Sequence, residues 1–210
     1  MREDILPLFP LPLVLFPRTA LPLHIFEDRY KELIGEAIDA SSEFGIVLAR
    51  EGGVVNTGCT ATVESVVQRY ADGRLDIMTA GRRRFQIREL VEGRSYLQGR
   101  VSFFDDNEFA APNTELRQRA VEGFSNLRRM TGDDVDEPEW DDPQLSFQLA
   151  QIVNDIDFRQ QLLALRSEAQ RLQTLVDYYP VYVRRWHHTE QIRAAAPRNG
   201  HSKIIPFDQN

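Results

Sequence analysis

The feature that most constrains this chain is residues 6–26, an apolar run broken by prolines at positions 7, 10, 12, 17 and 22. Proline lacks a backbone N–H and clashes inside a helix, so the run cannot be one continuous helix. It cannot donate to a sheet ladder either, which places the extended pieces at strand starts or sheet edges. Glu3 and Asp4 stand where a secretory signal carries basic residues, and no small-x-small cleavage site follows. No stretch approaches the roughly 20 uninterrupted apolar residues of a membrane span. The expected setting is therefore cytoplasmic, with no membrane contact. Residues 13–16 are expected to form a short buried strand, 17–20 a turn, and 21–26 a returning extended segment.

Downstream the pattern stays β-like to about residue 107, with one exception. In residues 27–40, Tyr30, Leu33, Ile34, Ala37 and Ile38 recur at three- and four-residue spacing, the signature of an amphipathic helix. Strands are expected at 44–49, 59–70, 75–80, 84–90 and 96–104, with Asp72-Gly73 as a hairpin turn. Short strands at such intervals suggest a closed or half-closed barrel. From residue 108 the periodicity turns helical. A helix is expected at 114–130 with Thr114 as its cap, then an acidic loop carrying Trp140 and a helix opened by Asp142-Pro143. A short helix over 157–165 and a long one from Ser167 follow, the latter kinked or broken at Pro180. The expected architecture is α+β: residues 1–107 a β-rich subdomain with one helix, 108–195 a helical bundle, and 196–210 a tail.

Charge and composition exclude several functions. The net charge is -7, and Lys31 and Lys203 are the only lysines. A general nucleic-acid grip works by displacing counterions from phosphates with a basic surface, so the balance argues against nucleic acid. Cys59 is the only cysteine, so no disulfide can form within the chain. Paired with His24 it could act as a nucleophile, but a small buried residue at a strand start is the stronger reading. No phosphate-binding loop, nucleophile elbow or zinc-protease helix occurs. His187 and His188 are adjacent, so on a helix they diverge and do not chelate. No catalytic residue, cofactor or metal is expected. Arg82-Arg83-Arg84 is the strongest basic cluster. It could hold a phosphate or acidic peptide, but the favoured reading is alternate arginines facing solvent, with Arg29 and Arg84 as structural ion-pair partners.

Leu6-Pro7-Leu8-Phe9-Pro10-Leu11, Leu15-Phe16-Pro17 and Leu21-Pro22-Leu23-His24-Ile25-Phe26-Glu27-Asp28-Arg29-Tyr30 resemble the start of the Lon-type N-terminal domain, the substrate-binding domain of the ATP-dependent Lon protease. Gly58-Cys59-Thr60-Ala61, Asp72-Gly73-Arg74, Gly81-Arg82-Arg83-Arg84-Phe85 and Gln160-Gln161-Leu162-Leu163 are similar to later segments of that family. The resemblance covers about residues 5–185. Two positions depart from the pattern: Arg18, where the family often has glycine, and Asp28, where it often has proline. The resemblance implies a PUA-like β pseudo-barrel followed by a helical bundle. It also implies non-catalytic binding of unfolded or exposed peptide segments, with Lon or other proteolysis components as further partners. It does not extend to the ATPase and Ser-Lys protease domains, so no proteolytic activity follows from it. RNA binding is the alternative, by analogy with other PUA-like barrels. Phe16, Phe26, Arg29, Tyr30, Arg84 and Trp140 are the candidate peptide-binding residues, core packing being the favoured role for Phe16, Phe26 and Tyr30. Oligomeric state is left open.

Overall fold

The computed structural model describes residues 4–107, 113–133 and 135–195. Six strands come first: β1 (Asp4–Leu11), β2 (Ala20–Ile25), β3 (Phe44–Arg50), β4 (Gly53–Arg69), β5 (Leu75–Val91) and β6 (Gln98–Phe104), with helix α1 (Asp28–Ala40) between β2 and β3. Their order is β2-β5-β4-β3-β1-β6, and a further β5–β6 pairing closes β1, β3, β4, β5 and β6 into a ring. The α+β architecture and the closed barrel are as the sequence pattern and the resemblance lead one to expect. Helices α2 (Thr114–Thr131), α3 (Leu145–Leu149), α4 (Ile156–Ala164) and α5 (Glu168–Ala195) follow, with a 3-10 turn at Ala150–Ile152.

The opening run behaves differently from its expected form. Residues 13–16 are not a strand; β1 lies earlier and contains Pro7 and Pro10. The strand tolerates both prolines because each half is paired on one side only. Asp4 to Pro7 run antiparallel to β6, and Leu8 to Leu11 run parallel to β3. The ladder therefore changes sides midway, and neither proline has to serve two neighbours.

Phe85 fills the barrel with Leu6, Leu8, Val47 and Val101. A small barrel closes around so large a ring only if nearby positions are small. A Cβ on Gly45 or Gly58 would lie 2.6 Å from the tip of Phe85. The larger core lies outside the barrel wall, where Phe9, Phe16, Phe44, Ile46 and Cys59 meet α1 and the helices of the second half.

β5 is one strand of 17 residues where two were expected. It spans both because Gly81 carries the crossing: a Cβ there would lie 2.1 Å from the Phe16 carbonyl oxygen. The Arg18 N–H donates to the Gly81 carbonyl (2.8 Å), and the Gly81 N–H donates to that of Thr19 (2.9 Å). Beyond Gly81 the outer parts of β5 and β4 leave the ring and, with β2, make a three-stranded flap.

Among the helices, α1 buries Tyr30, Leu33, Ile34 and Ala37, as its spacing predicts. The cap of α2 is Asn113 rather than Thr114; its side chain accepts from the Glu115 N–H at 2.8 Å. The helix expected from Asp142 is only the five residues of α3, because Asp142 turns the chain first, accepting from the Gln144 N–H at 2.8 Å. α5 runs through Pro180 without ending. A proline removes one ladder bond, and Tyr179 and Val183, packed on the core to either side, hold the helix together there.

Candidate functional site

Among the described residues β2 is bonded to β5 alone, so its other edge carries no strand there. Its burial alternates, with Ala20, Pro22 and His24 exposed and Ile25 turned to the core. His24 faces Asp76 across the ladder, and Gln68 faces Asp76 from the other side, so the three share one outer face. The His24 ring lies 2.5 Å from one Asp76 oxygen, and the Tyr70 hydroxyl donates to the other at 2.6 Å. Those two hydrogen bonds, Tyr70's first, hold the Asp76 carboxyl below its ordinary range. Phe26 stacks on His24 with centroids 5.9 Å apart, Tyr70 meets the same ring edge-on at 6.0 Å, and the Arg74 guanidinium lies 4.9 Å over Tyr70. Phe26 is 58 % exposed, and nearby on β4 Val67 is 65 % exposed. Apolar groups this open, beside an unpaired strand edge, are where an extended chain gains both ladder bonds and side-chain contacts.

The other sequence-derived candidates do not gather here. Phe16 is fully buried, stacked on Phe147 at 5.1 Å beneath the Arg159 guanidinium. Tyr30 is 7 % exposed and stacks on Phe9 at 4.0 Å. Neither reaches the surface, so their expected contact role is corrected to core packing: each fills the space between the barrel wall and the helix or turn beside it. Arg29 is exposed, bonded to Glu27 and lying 4.5 Å over the Tyr30 ring. Trp140 is partly exposed on the loop before α3, where Arg117 lies 5.6 Å over its ring and donates to its carbonyl.

Arg84 is also withdrawn from the surface, at 1 % exposure, and it anchors the seam between the barrel and the helices. It donates to Asp106 (2.6 Å) and to the Leu165 carbonyl (2.5 Å). Arg171, fully buried on α5, takes both Asp106 oxygens at 2.6 Å, Glu168 at 2.7 Å and the Ser146 hydroxyl at 2.8 Å. Phe147 packs under both guanidinia. Two buried cations thus face two carboxylates. Burial works to raise the Asp106 carboxyl, but the hydrogen bonds and charge of Arg171, then of Arg84, outweigh it and hold it below its ordinary range. Burial pushes Glu168 above its own range, offset in part by Arg171 and Ser146. Both other arginines of the cluster are exposed, but paired: Arg82 to Glu64 at 2.5 Å and Arg83 to Glu43 at 3.0 Å. The expected solvent-facing alternation fails because β5 shifts register against β4 between Gly81 and Arg84, turning Arg84 inward. The cluster therefore presents little unneutralised charge to a phosphate.

Cys59 is fully buried, and desolvation pushes its thiol up to about 12, so it stays protonated. Among the described residues no group of three His, Cys, Asp or Glu side chains is placed to hold a metal, and no helix is long and apolar enough to cross a membrane. Reading the sequence missed the Tyr70–Asp76–His24 cluster. The Asp-Gly hairpin was its available signal, since it brings Tyr70, just past the end of β4, back beside Asp76 on β5.

A closed β barrel is sealed to a helical bundle, and one strand edge stands open beside exposed aromatic groups. A model of the ATP-dependent protease La (LON) substrate-binding domain matches residues 5–178, and the chain belongs to that family. The matched unit is the substrate-binding domain of Lon. The Lon protease of Parabacteroides distasonis is 32 % identical over 114 residues, covering 50 % of this chain and 14 % of that protein. The Lon protease of Roseiflexus castenholzii is 32 % identical over 137 residues, covering 61 % and 17 %. The chain thus aligns with less than a fifth of the length of these relatives. Among solved structures, a Lon N-terminal domain protein from Xanthomonas campestris superposes with a TM-score of 0.67 at 27 % identity, over 83 % of this chain and 98 % of that one. The N-terminal domain of a Mycobacterium avium complex Lon protease shares the fold, with a TM-score of 0.63 at 19 % identity over 84 % and 98 %.

Proposed function

We propose that this protein is a non-catalytic, cytoplasmic module that captures extended, exposed segments of other polypeptides along the open edge of β2 and so influences their proteolysis. One observation carries the reading: the unpaired β2 edge ends in Phe26, 58 % exposed and stacked with His24 beside Tyr70. Membership of a substrate-binding family supports it. Pro22 removes one donor from the edge, so side-chain contacts at Phe26 and Tyr70 must supply much of the affinity. The same proline discourages open-ended pairing between copies of the chain.

The reading is tested by titrating a permanently unfolded, reduced and alkylated model protein, with its folded form as control. Binding of the unfolded form alone is expected. Phe26→Ser should weaken it by about tenfold, equivalent to about 1.4 kcal/mol, without altering the urea midpoint. Equal affinity for both forms, or no loss in the Phe26 variant, would overturn the assignment. A parallel titration with mixed RNA should show no binding at low salt, because the arginine cluster is already neutralised by Glu64, Glu43 and Asp106.

A further inference from the structure

A second surface lies on the helical half, away from the β2 edge. On α5, Tyr178, Tyr182 and Trp186 recur every four residues and so share one side of the helix. They line a cavity of about 590 Å³ whose other wall is Asn154, Asp155 and Asp133. A second cavity of about 450 Å³ continues from it past Asp155 and Tyr178 to Phe158 and Asp177. Phe158 stacks on Tyr178 at 3.7 Å, and Tyr182 stands 6.2 Å from Tyr178, so the groove floor is aromatic. Arg185 lines both cavities and marks where they join.

The chemistry the groove takes is displayed by its own internal cation. The Arg185 guanidinium donates to Asp155 and to the Tyr178 hydroxyl, each at 3.1 Å, and lies 5.9 Å over the Tyr178 ring. It does so from the rim, at 64 % side-chain exposure, whereas the Asp155 side chain beneath it is 26 % exposed. The walls are acidic: Asp133, Asp155, Asp157, Asp177 and Glu190 line the two cavities, and among the described residues Arg185 is the one lysine or arginine lining either. Asp157 is bonded to Arg50, and Asp177 accepts from Gln173 at 2.8 Å. An aromatic floor with a surplus of carboxylates favours a cation that also has an apolar stem.

We propose that this groove is a docking site for an arginine-bearing extended peptide, whose guanidinium takes the place Arg185 holds on Asp155 and Tyr178. The site goes beyond the β2 edge and would make the protein selective for basic segments among unfolded ones. Asp155 also caps α4, accepting from the Phe158 N–H at 3.0 Å. Asn caps as well as Asp, so Asp155→Asn removes the charge and keeps the helix start.

The test is fluorescence anisotropy of a labelled, end-blocked heptapeptide with a central arginine flanked by leucines, beside analogues carrying citrulline or glutamate in its place. Arginine should bind at least tenfold tighter than either analogue. Asp155→Asn should abolish that preference, and Arg185→Ala, by vacating the site, should tighten arginine binding several-fold. Asp133→Asn, on the rim, should weaken it by a smaller factor and guards against a folding defect in the Asp155 variant. Equal binding of the three peptides, or unchanged affinity in both the Asp155 and Arg185 variants, would overturn the proposal. Phe26→Ser separates the two sites: it should leave the arginine preference intact. If it instead abolishes all binding while Asp155→Asn does nothing, the β2 reading stands and the groove does not.

Discussion

Replacing Asp106 with asparagine tests how the two halves of the molecule are joined. Among the described residues, Asp106 is the only carboxylate bonded to both Arg84 and Arg171, through three contacts of 2.6 Å. Those guanidinia are 1 % and 0 % exposed, and Asp106 itself is 14 % exposed. Asparagine keeps the shape but leaves two buried cations against the single carboxylate of Glu168. Breaking a buried pair by removing one partner costs about 3–5 kcal/mol, because the orphaned charge stays out of water. Against a typical total of about 5–15 kcal/mol, that is a large fraction of the stability. With a urea slope of about 2–3 kcal/mol per molar, the midpoint should fall by about 1–2.5 M. Glu64→Gln, which breaks a half-exposed pair with Arg82, should cost about 0–1 kcal/mol. The acid limb adds a second readout. Asp106 is held below its ordinary range, so its contribution is complete above the unfolded-chain value of about 3.9 and is lost as pH falls through its lower folded value. Asp106→Asn should therefore flatten the loss of stability below about pH 4. A cost within about 1 kcal/mol, no larger than that of the surface pair, would refute the claim that this cluster joins the two halves.

Three further outcomes follow from the packing. Gly123→Ala should destabilise by about 1–3 kcal/mol in urea unfolding, because its Cβ would lie 2.4 Å from the Tyr179 ring where α2 crosses α5. Cys59 should resist a thiol reagent at pH 8 in the folded protein and react at once in denaturant, since its thiol is fully buried and protonated. Arg18 has a φ of 61° and donates to Asp142 at 2.9 Å. Arg18→Gly relieves the left-handed backbone while losing the ion pair, whereas Arg18→Ala loses the pair and keeps the strain; the glycine variant should be the more stable by about 1 kcal/mol.

The features legible in the sequence were those with a local physical cause. α1 declared itself through the spacing of Tyr30, Leu33, Ile34 and Ala37, and the β4–β5 hairpin through Asp72-Gly73. The prolines of the opening run identified the fold well, yet they misplaced β1. Its two singly paired halves, with a change of partner midway, leave no trace in the local pattern. The inward turn of Arg84 was hidden for a similar reason: it follows from a register shift against β4, which no alternation rule can show. Phe16 and Tyr30 read as possible contacts because nothing local distinguishes an aromatic over a barrel wall from one on its open face. Arg18 stood out in the sequence only as a departure from the family pattern, and the structure gives it a role: the position is left-handed, and arginine there is tied to Asp142 of the helical half.

Amide hydrogen exchange by mass spectrometry, with and without the unfolded model protein bound, tests the central claim most directly. If the captured segment lies along the open edge, exchange in the peptide covering β2 (Ala20–Ile25) should slow on binding, and Phe26→Ser should remove that protection. Binding that leaves β2 exchange unchanged, with protection appearing only elsewhere, would contradict it.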